Sequence, residues 1–161
     1  MPSKKPPEIE VIASTAVSIL SVSPIEEDHV SLERILSDPA RAQYTQPRVL
    51  LRPLLTVQAA IRVLSGNPIP IVFSEHAFWR EILEHISGLR DPPLLIVTSR
   101  LADDYLWAEA LNLGAYDVLA KPFHAAEVTR TVSLALQHWQ DRDVLCTGRT
   151  GQRRAASAGG P

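Results

Sequence analysis

A doubly wound α/β domain built on a five-stranded parallel sheet is the fold this sequence predicts, and three observations predict it. Five short apolar runs recur along the chain, at Ser18–Val22, Arg48–Leu51, Ile69–Phe73, Leu94–Thr98 and Tyr116–Leu119. A segment of helical period follows each run, over 25–36, 56–64, 78–86, 102–113 and 125–139. Several runs are continuous rather than alternating, as strands covered on both faces should be. Right-handed crossovers then place helices on both sides of the sheet.

The individual elements carry their own start and stop signals. Ser23-Pro24-Ile25-Glu26 reads as a capping box with Pro at the first helical position, which opens the first helix. Asp103 and Asp104 sit in the first turn of the fourth helix, and Gly114 is a left-handed stop at its end. In the fifth helix Val128, Val132, Ala135, Leu136 and Trp139 form one apolar stripe, with Pro122 and Glu127 marking its start. In parallel sheets the functional crevice lies beyond the carboxyl ends of the strands. That rule selects Ser23-Pro24, Ser74-Glu75, Thr98-Ser99 and Ala120-Lys121-Pro122 as positions that converge in space.

Composition narrows the function classes. The chain has 161 residues, 45% of them hydrophobic, enough for one domain with a true core. Sixteen basic against eighteen acidic residues give a net charge of −2, so no general electrostatic case for nucleic-acid binding exists. The single Cys146 has no intramolecular disulfide partner, which fits a reducing cytosol. Lys4-Lys5 and the run Val11–Val22 imitate a signal peptide, but Pro6, Pro7, Glu8 and Glu10 intervene. The run is also shorter than the about 20 apolar residues that span a bilayer. A cytoplasmic protein without membrane association is the expectation.

Residues 1–13 read as a flexible tail, 14–140 as the domain, and 141–161 as a small, polar, glycine-rich segment expected to be disordered. The last 21 residues are too few and too polar to form a DNA-binding output domain. The five histidines show no metal-ligand spacing with Cys or acidic partners. No glycine-rich phosphate loop follows the first strand, and no Gly-x-Ser-x-Gly elbow is present. Trp79, Trp107 and Trp139 fall on helices, where packing or an interface is the default role.

The ordered set Leu94-Leu-Ile-Val-Thr98-Ser99, Gly114-Ala115-x-Asp117-x-Leu119-x-Lys121-Pro122-Phe123 and the helix bearing Glu127 resembles the receiver domain of two-component response regulators, the CheY-like family. The resemblance covers about residues 14–140 and implies a flavodoxin-like (βα)5 sheet of strand order 2-1-3-4-5. It implies Mg²⁺ held by an acidic pair after strand one, an Asp phosphoacceptor after strand three, and a Thr and Lys contacting the phosphoryl oxygens. Thr98 and Lys121 match the last two, and a cis Lys121–Pro122 bond is implied.

The acidic half of that apparatus departs from the family. Ser23 and Pro24 stand where the acidic pair belongs, and a Ser supplies no anionic ligand. Glu75 stands at the phosphoacceptor position, although an offset of one residue would put His76 there. The usual aromatic switch position is Val118, with Tyr116 two residues away. Mg²⁺ binding is therefore expected to be lost or weak, and phosphoryl transfer with it. Glu75, Lys121 and Thr98 are expected to form a hydrogen-bonded cluster in place of the phosphoryl switch; Glu75 facing solvent is the alternative.

The expected function is an atypical receiver: not an enzyme, but a protein–protein interaction module in two-component signalling, independent of phosphorylation. The resemblance implies contact with a histidine kinase or downstream effector through the face of the fourth helix, fifth strand and fifth helix. Trp107, Tyr116, Glu127 and Arg130 are its candidate residues, with Glu109 and Thr131 beside them, and the same face can form a homodimer. Two alternatives stand: a phosphorylatable single-domain regulator with an unusual acceptor, or a flavodoxin-like domain binding a small ligand in the same crevice.

Overall fold

The structure, a computed structural model, describes residues 16–43 and 47–154. Five strands are formed by β1 (Val17–Val22), β2 (Val49–Leu54), β3 (Ile71–Glu75), β4 (Leu94–Ser99) and β5 (Asp117–Ala120). The helices are α1 (Glu26–Leu36), α2 (Pro39–Ala42), α3 (Val57–Gly66), α4 (Trp79–Ser87), α5 (Asp104–Leu113) and α6 (Ala125–Arg154). All strand pairs are parallel and the sheet order is β2-β1-β3-β4-β5, the order the resemblance implies.

Alternation along the central strands divides the core in two. Leu20, Val22, Val72, Leu95, Val97 and Val118 face α3, α4 and α5, with Trp79 and Ile82 filling that layer. Ile19, Ile71, Phe73, Ile96 and Leu119 face α1 and α6, against Leu32, Val128, Val132 and Leu136. Both faces of β3 and β4 are therefore apolar, which is why their sequences read as continuous hydrophobic runs. At the edge, β2 is half-exposed and tolerates Pro53, whose missing N–H a central strand could not accept.

Local chemistry fixes the helix ends. Thr56 and Asp103 cap α3 and α5 by accepting the backbone N–H of Ala59 (3.2 Å) and Leu106 (2.8 Å). Gly114 closes α5 at φ 115°, the left-handed geometry the sequence predicts there.

Three differences from the sequence expectation have physical causes. The capping box at Ser23 does not form: Ile25 is the N-cap of α1, and Pro24 lies outside the helix. The Ser23 hydroxyl instead accepts the Ile25 N–H (3.1 Å) and donates to Asp28 (2.7 Å), so a buried carboxylate draws it away from the helix amides. The short α2 is too brief to show a hydrophobic period, although Asp38-Pro39 carries the cap-and-proline signature and Asp38 accepts the Ala40 N–H at 3.0 Å. Finally, α6 runs on to Arg154, so 141–154 is helical rather than the disordered tail its composition suggests. No proline interrupts that stretch, and Arg142 is tied to the domain through the Pro92 carbonyl at 3.0 Å. The expected N-terminal tail, 1–13, and residues 155–161 lie outside the described residues. No helix among the described residues is long and apolar enough to cross a membrane.

Candidate functional site

The carboxyl ends of β1, β3, β4 and β5 meet as the topology requires, and Lys121 lies at their centre. It follows β5 directly, and its backbone N–H donates to the Ser99 carbonyl at 2.9 Å, which pins it beside β4. The Lys121–Pro122 peptide is cis. Only 4% of the Lys121 side chain is exposed. A buried ammonium must be paired to persist. Here it donates to Asp28 Oδ2 at 2.7 Å and to Glu75 Oε2.

Glu75 is the last residue of β3 and reaches Lys121 across the end of β4. His76, the alternative at the acceptor position, is exposed; its backbone N–H continues the sheet by donating to the Thr98 carbonyl at 2.9 Å. Thr98 does not join the cluster as expected. Its hydroxyl donates to the Ser74 carbonyl (3.3 Å) on the neighbouring strand and stays within the sheet. The place expected for Thr98 beside the ammonium is taken by Asp28.

Asp28 is the site residue the sequence reading missed. It is one of three acids in the first turn of α1, with Glu26 and Glu27, yet Asp28, Leu32 and Leu36 stand at i, i+4 and i+8 and all are buried. A carboxylate on the buried stripe of a helix was the available signal. The local charge changes accordingly. Two carboxylates and one ammonium leave about −1, whereas Glu75 and Lys121 alone would be neutral.

The network extends behind Asp28 to a second unrecognised residue. Buried His29 places Nε2 3.0 Å from the Ser23 carbonyl and Nδ1 2.8 Å from the Ser21 hydroxyl. A carbonyl can only accept, so Nε2 carries a proton toward Ser23, while Nδ1 and the Ser21 hydroxyl form the second hydrogen bond. Ser21 and Ser23 thus tie β1 and its following loop to α1, and the Ser23 hydroxyl donates a hydrogen bond to Asp28. In front of the cluster lies an open crevice of about 400 Å³ lined by Glu27, Asp28, Ser31, Arg100, Lys121 and Phe123, with Pro122 at its rim.

The residues expected on the interaction face divide. Trp107 is 42% exposed on α5, Arg130 is exposed on α6, and Glu127 is half-buried nearby. Thr131 is buried and donates to Asp117 at 3.3 Å, and Glu109 turns the other way to pair with Arg80 of α4. Tyr116 does not share a face with Val118. It precedes β5, so the strand alternation does not reach it, and it packs toward α6 with its ring 5.9 Å from that of His138. Burial, and secondarily the Asp117 carboxylate, raises the Tyr116 hydroxyl above its ordinary pKa of 10.0.

No family model matches this sequence, and no curated protein does. Solved structures do. The signal receiver domain of a protein described as a Luxo repressor, from Vibrio parahaemolyticus, superposes with a TM-score of 0.69 at 16% identity, over 81% of this chain and 98% of its own. The signal receiver domain of an HD domain-containing protein from Pseudomonas fluorescens Pf-5 gives 0.66 at 20% identity, over 79% and 91%. Full-length FixJ from B. japonicum gives 0.66 at 22% identity, over 89% of this chain and 69% of that one. The chain has the receiver-domain fold. Within that fold, Ser23, Pro24 and Glu75 lie at the strand ends where the sequence resemblance places the acidic pair and the phosphoacceptor.

Proposed function

We propose that this chain is a receiver-fold protein-interaction module of two-component signalling whose switch is held in one state by an internal ion cluster. The observation that carries the reading is the Lys121 ammonium, buried between Asp28 and Glu75. A phosphoryl group on a receiver supplies the anion to which such a lysine turns. Here two carboxylates from α1 and β3 already supply it.

The donor chemistry does not suit Mg²⁺. A hard cation of this size needs an octahedral set of oxygens, commonly one or two protein carboxylates with water and phosphate. Both carboxylates of the cluster accept from Lys121, and Asp28 also accepts from Ser23. Binding Mg²⁺ would require displacing a paired ammonium. Among the described residues no group of three or more His, Cys, Asp or Glu is placed to hold a metal. On this reading the chain performs no catalysis of its own.

Output then runs through the surface. Around α5, Leu101, Tyr105 and Trp107 are 78%, 75% and 42% exposed, an apolar display that water does not favour on a helix otherwise packed against a sheet. Aromatic residues in such patches are frequent energetic centres of interfaces. A histidine kinase or downstream effector docking on the α5–β5–α6 face, or a second copy pairing there, would cover them, with Arg130 and Glu127 at the polar rim. Incubation with Mg²⁺ and acetyl phosphate, followed by intact-mass measurement, tests the reading. The unmodified mass is expected. A stable phosphoryl adduct mapping to Glu75 or His76 would establish a phosphorylatable regulator instead.

A further inference from the structure

At the opposite end of the sheet from Lys121, a pocket of about 350 Å³ opens between α4, the start of β4 and the end of α5. Its walls are apolar: Leu83, Pro93, Leu94 and Leu113 line it. Three polar side chains interrupt them: Ser87, whose hydroxyl donates to the Leu83 carbonyl at 2.7 Å, and two with donors to spare. The Arg142 guanidinium, carried on α6, is held from two sides. One Nη2–H donates to the Pro92 carbonyl at 3.0 Å, and the group stacks 4.8 Å over the Trp139 ring. It forms no ion pair among the described residues, so a positioned cation faces the pocket with donors to offer. The Tyr116 hydroxyl is the second. Its ring packs on His138, and the hydroxyl makes no hydrogen bond among the described residues.

We infer that this pocket binds a small amphipathic carboxylic acid, its apolar body among the leucines and prolines and its carboxylate between Arg142 and Tyr116. The volume falls within the range of ordinary ligand pockets, and the lining has their composition: mostly apolar, with few polar groups that fix orientation. The guanidinium keeps donors beyond the one given to Pro92, and the phenolic O–H has no partner among the described residues, so an acceptor with negative charge would satisfy both. A fatty or branched-chain acid satisfies both demands; a nucleotide does not, because among the described residues Arg142 is the one cation lining the pocket. Leu113, 54% exposed at the mouth, gains cover when the acid enters. The site shares no residue with the Lys121 cluster, and its occupation is independent of how that cluster is read. The ligand would bridge α4, α5 and α6, and so bias the setting of α5, whose outer side carries Trp107.

Amide NMR titration of the full chain with sodium octanoate, with octanol and octylamine as length-matched controls, tests the inference. Octanoate is expected to give saturable shifts at Leu83, Leu94, Leu113 and Tyr116, with octanol and octylamine weaker by about tenfold, the scale of one charge-assisted hydrogen bond. Arg142→Gln should weaken octanoate by about tenfold and Tyr116→Phe by about threefold, on the same scale. Both should leave octanol binding unchanged. Leu113→Glu, at an exposed position, should abolish octanoate binding without disturbing the fold. Absence of saturation, equal affinity for octanol, or shifts centred on Lys121 would each overturn the inference. Tyr116→Phe removes a hydroxyl that has no partner among the described residues, so it keeps the test valid even if an Arg142 variant folds poorly.

Discussion

The two ends of the sheet handle charge in opposite ways. At the carboxyl end, Lys121, Asp28, Glu75, Ser23 and His29 satisfy one another in a buried network. At the amino end, Arg142 and Tyr116 face a pocket; Arg142 spends one donor on the Pro92 carbonyl, and the Tyr116 hydroxyl has no partner among the described residues. A buried charge must find its partner within the protein, whereas a charge at an open rim can wait for one in solution. The difference separates a site closed by its own side chains from one that still has capacity to bind.

Substitutions at the two ends should cost very different amounts. Lys121→Met leaves two neighbouring carboxylates buried without a counter-ion and is expected to destabilise by about 3–5 kcal/mol, read from urea unfolding. Adding Asp28→Asn and Glu75→Gln to that variant should recover most of the loss, because a fully neutral site has no stranded charge. Recovery of little or none would mean that the network matters for its shape rather than its charge. Asp28→Asn alone should cost about 1.5–3 kcal/mol, the value of hydrogen bonds to a charged group, since Ser23 and Lys121 both donate there. At the other end Arg142→Gln should cost under about 1 kcal/mol, as partly exposed charges commonly do.

The smallest expected effect concerns pH. Tyr116 is raised above its unfolded value of 10.0, so the folded state keeps its proton longer than the unfolded state does. Its contribution is fully present below pH 10 and is lost as pH climbs through the folded value. Wild type should therefore lose stability above pH 10 more steeply than Tyr116→Phe, and parallel curves would contradict the assignment.

Much of this was legible in the sequence because it follows from period and topology. Continuous apolar strands, the Gly114 stop and the convergence of Glu75 and Lys121 all come from spacing and the parallel crossover rule. Asp28 and His29 were less visible for a physical reason: helix α1 begins with three acids, and composition alone does not say which one faces inward. The phase set by Leu32 and Leu36 does. Thr98 went astray because a hydroxyl has several satisfiable partners at a strand end, and it took the nearest carbonyl. Tyr116 falls outside the strand its apolar run suggests, because β5 begins at Asp117. The pocket near Arg142 joins residues from distant elements and has no signature in any single stretch.

The central claim is that the Lys121 ammonium already holds the anions that would otherwise set the switch. The amide NMR spectrum of the wild-type chain, recorded before and after addition of Mg²⁺ with acetyl phosphate, tests it most directly. The spectrum is expected to stay unchanged at Glu75, Thr98, Ser99 and Lys121 and along α5. Shifts at those strand ends that spread into α5 would show a working phosphoryl switch and contradict the claim.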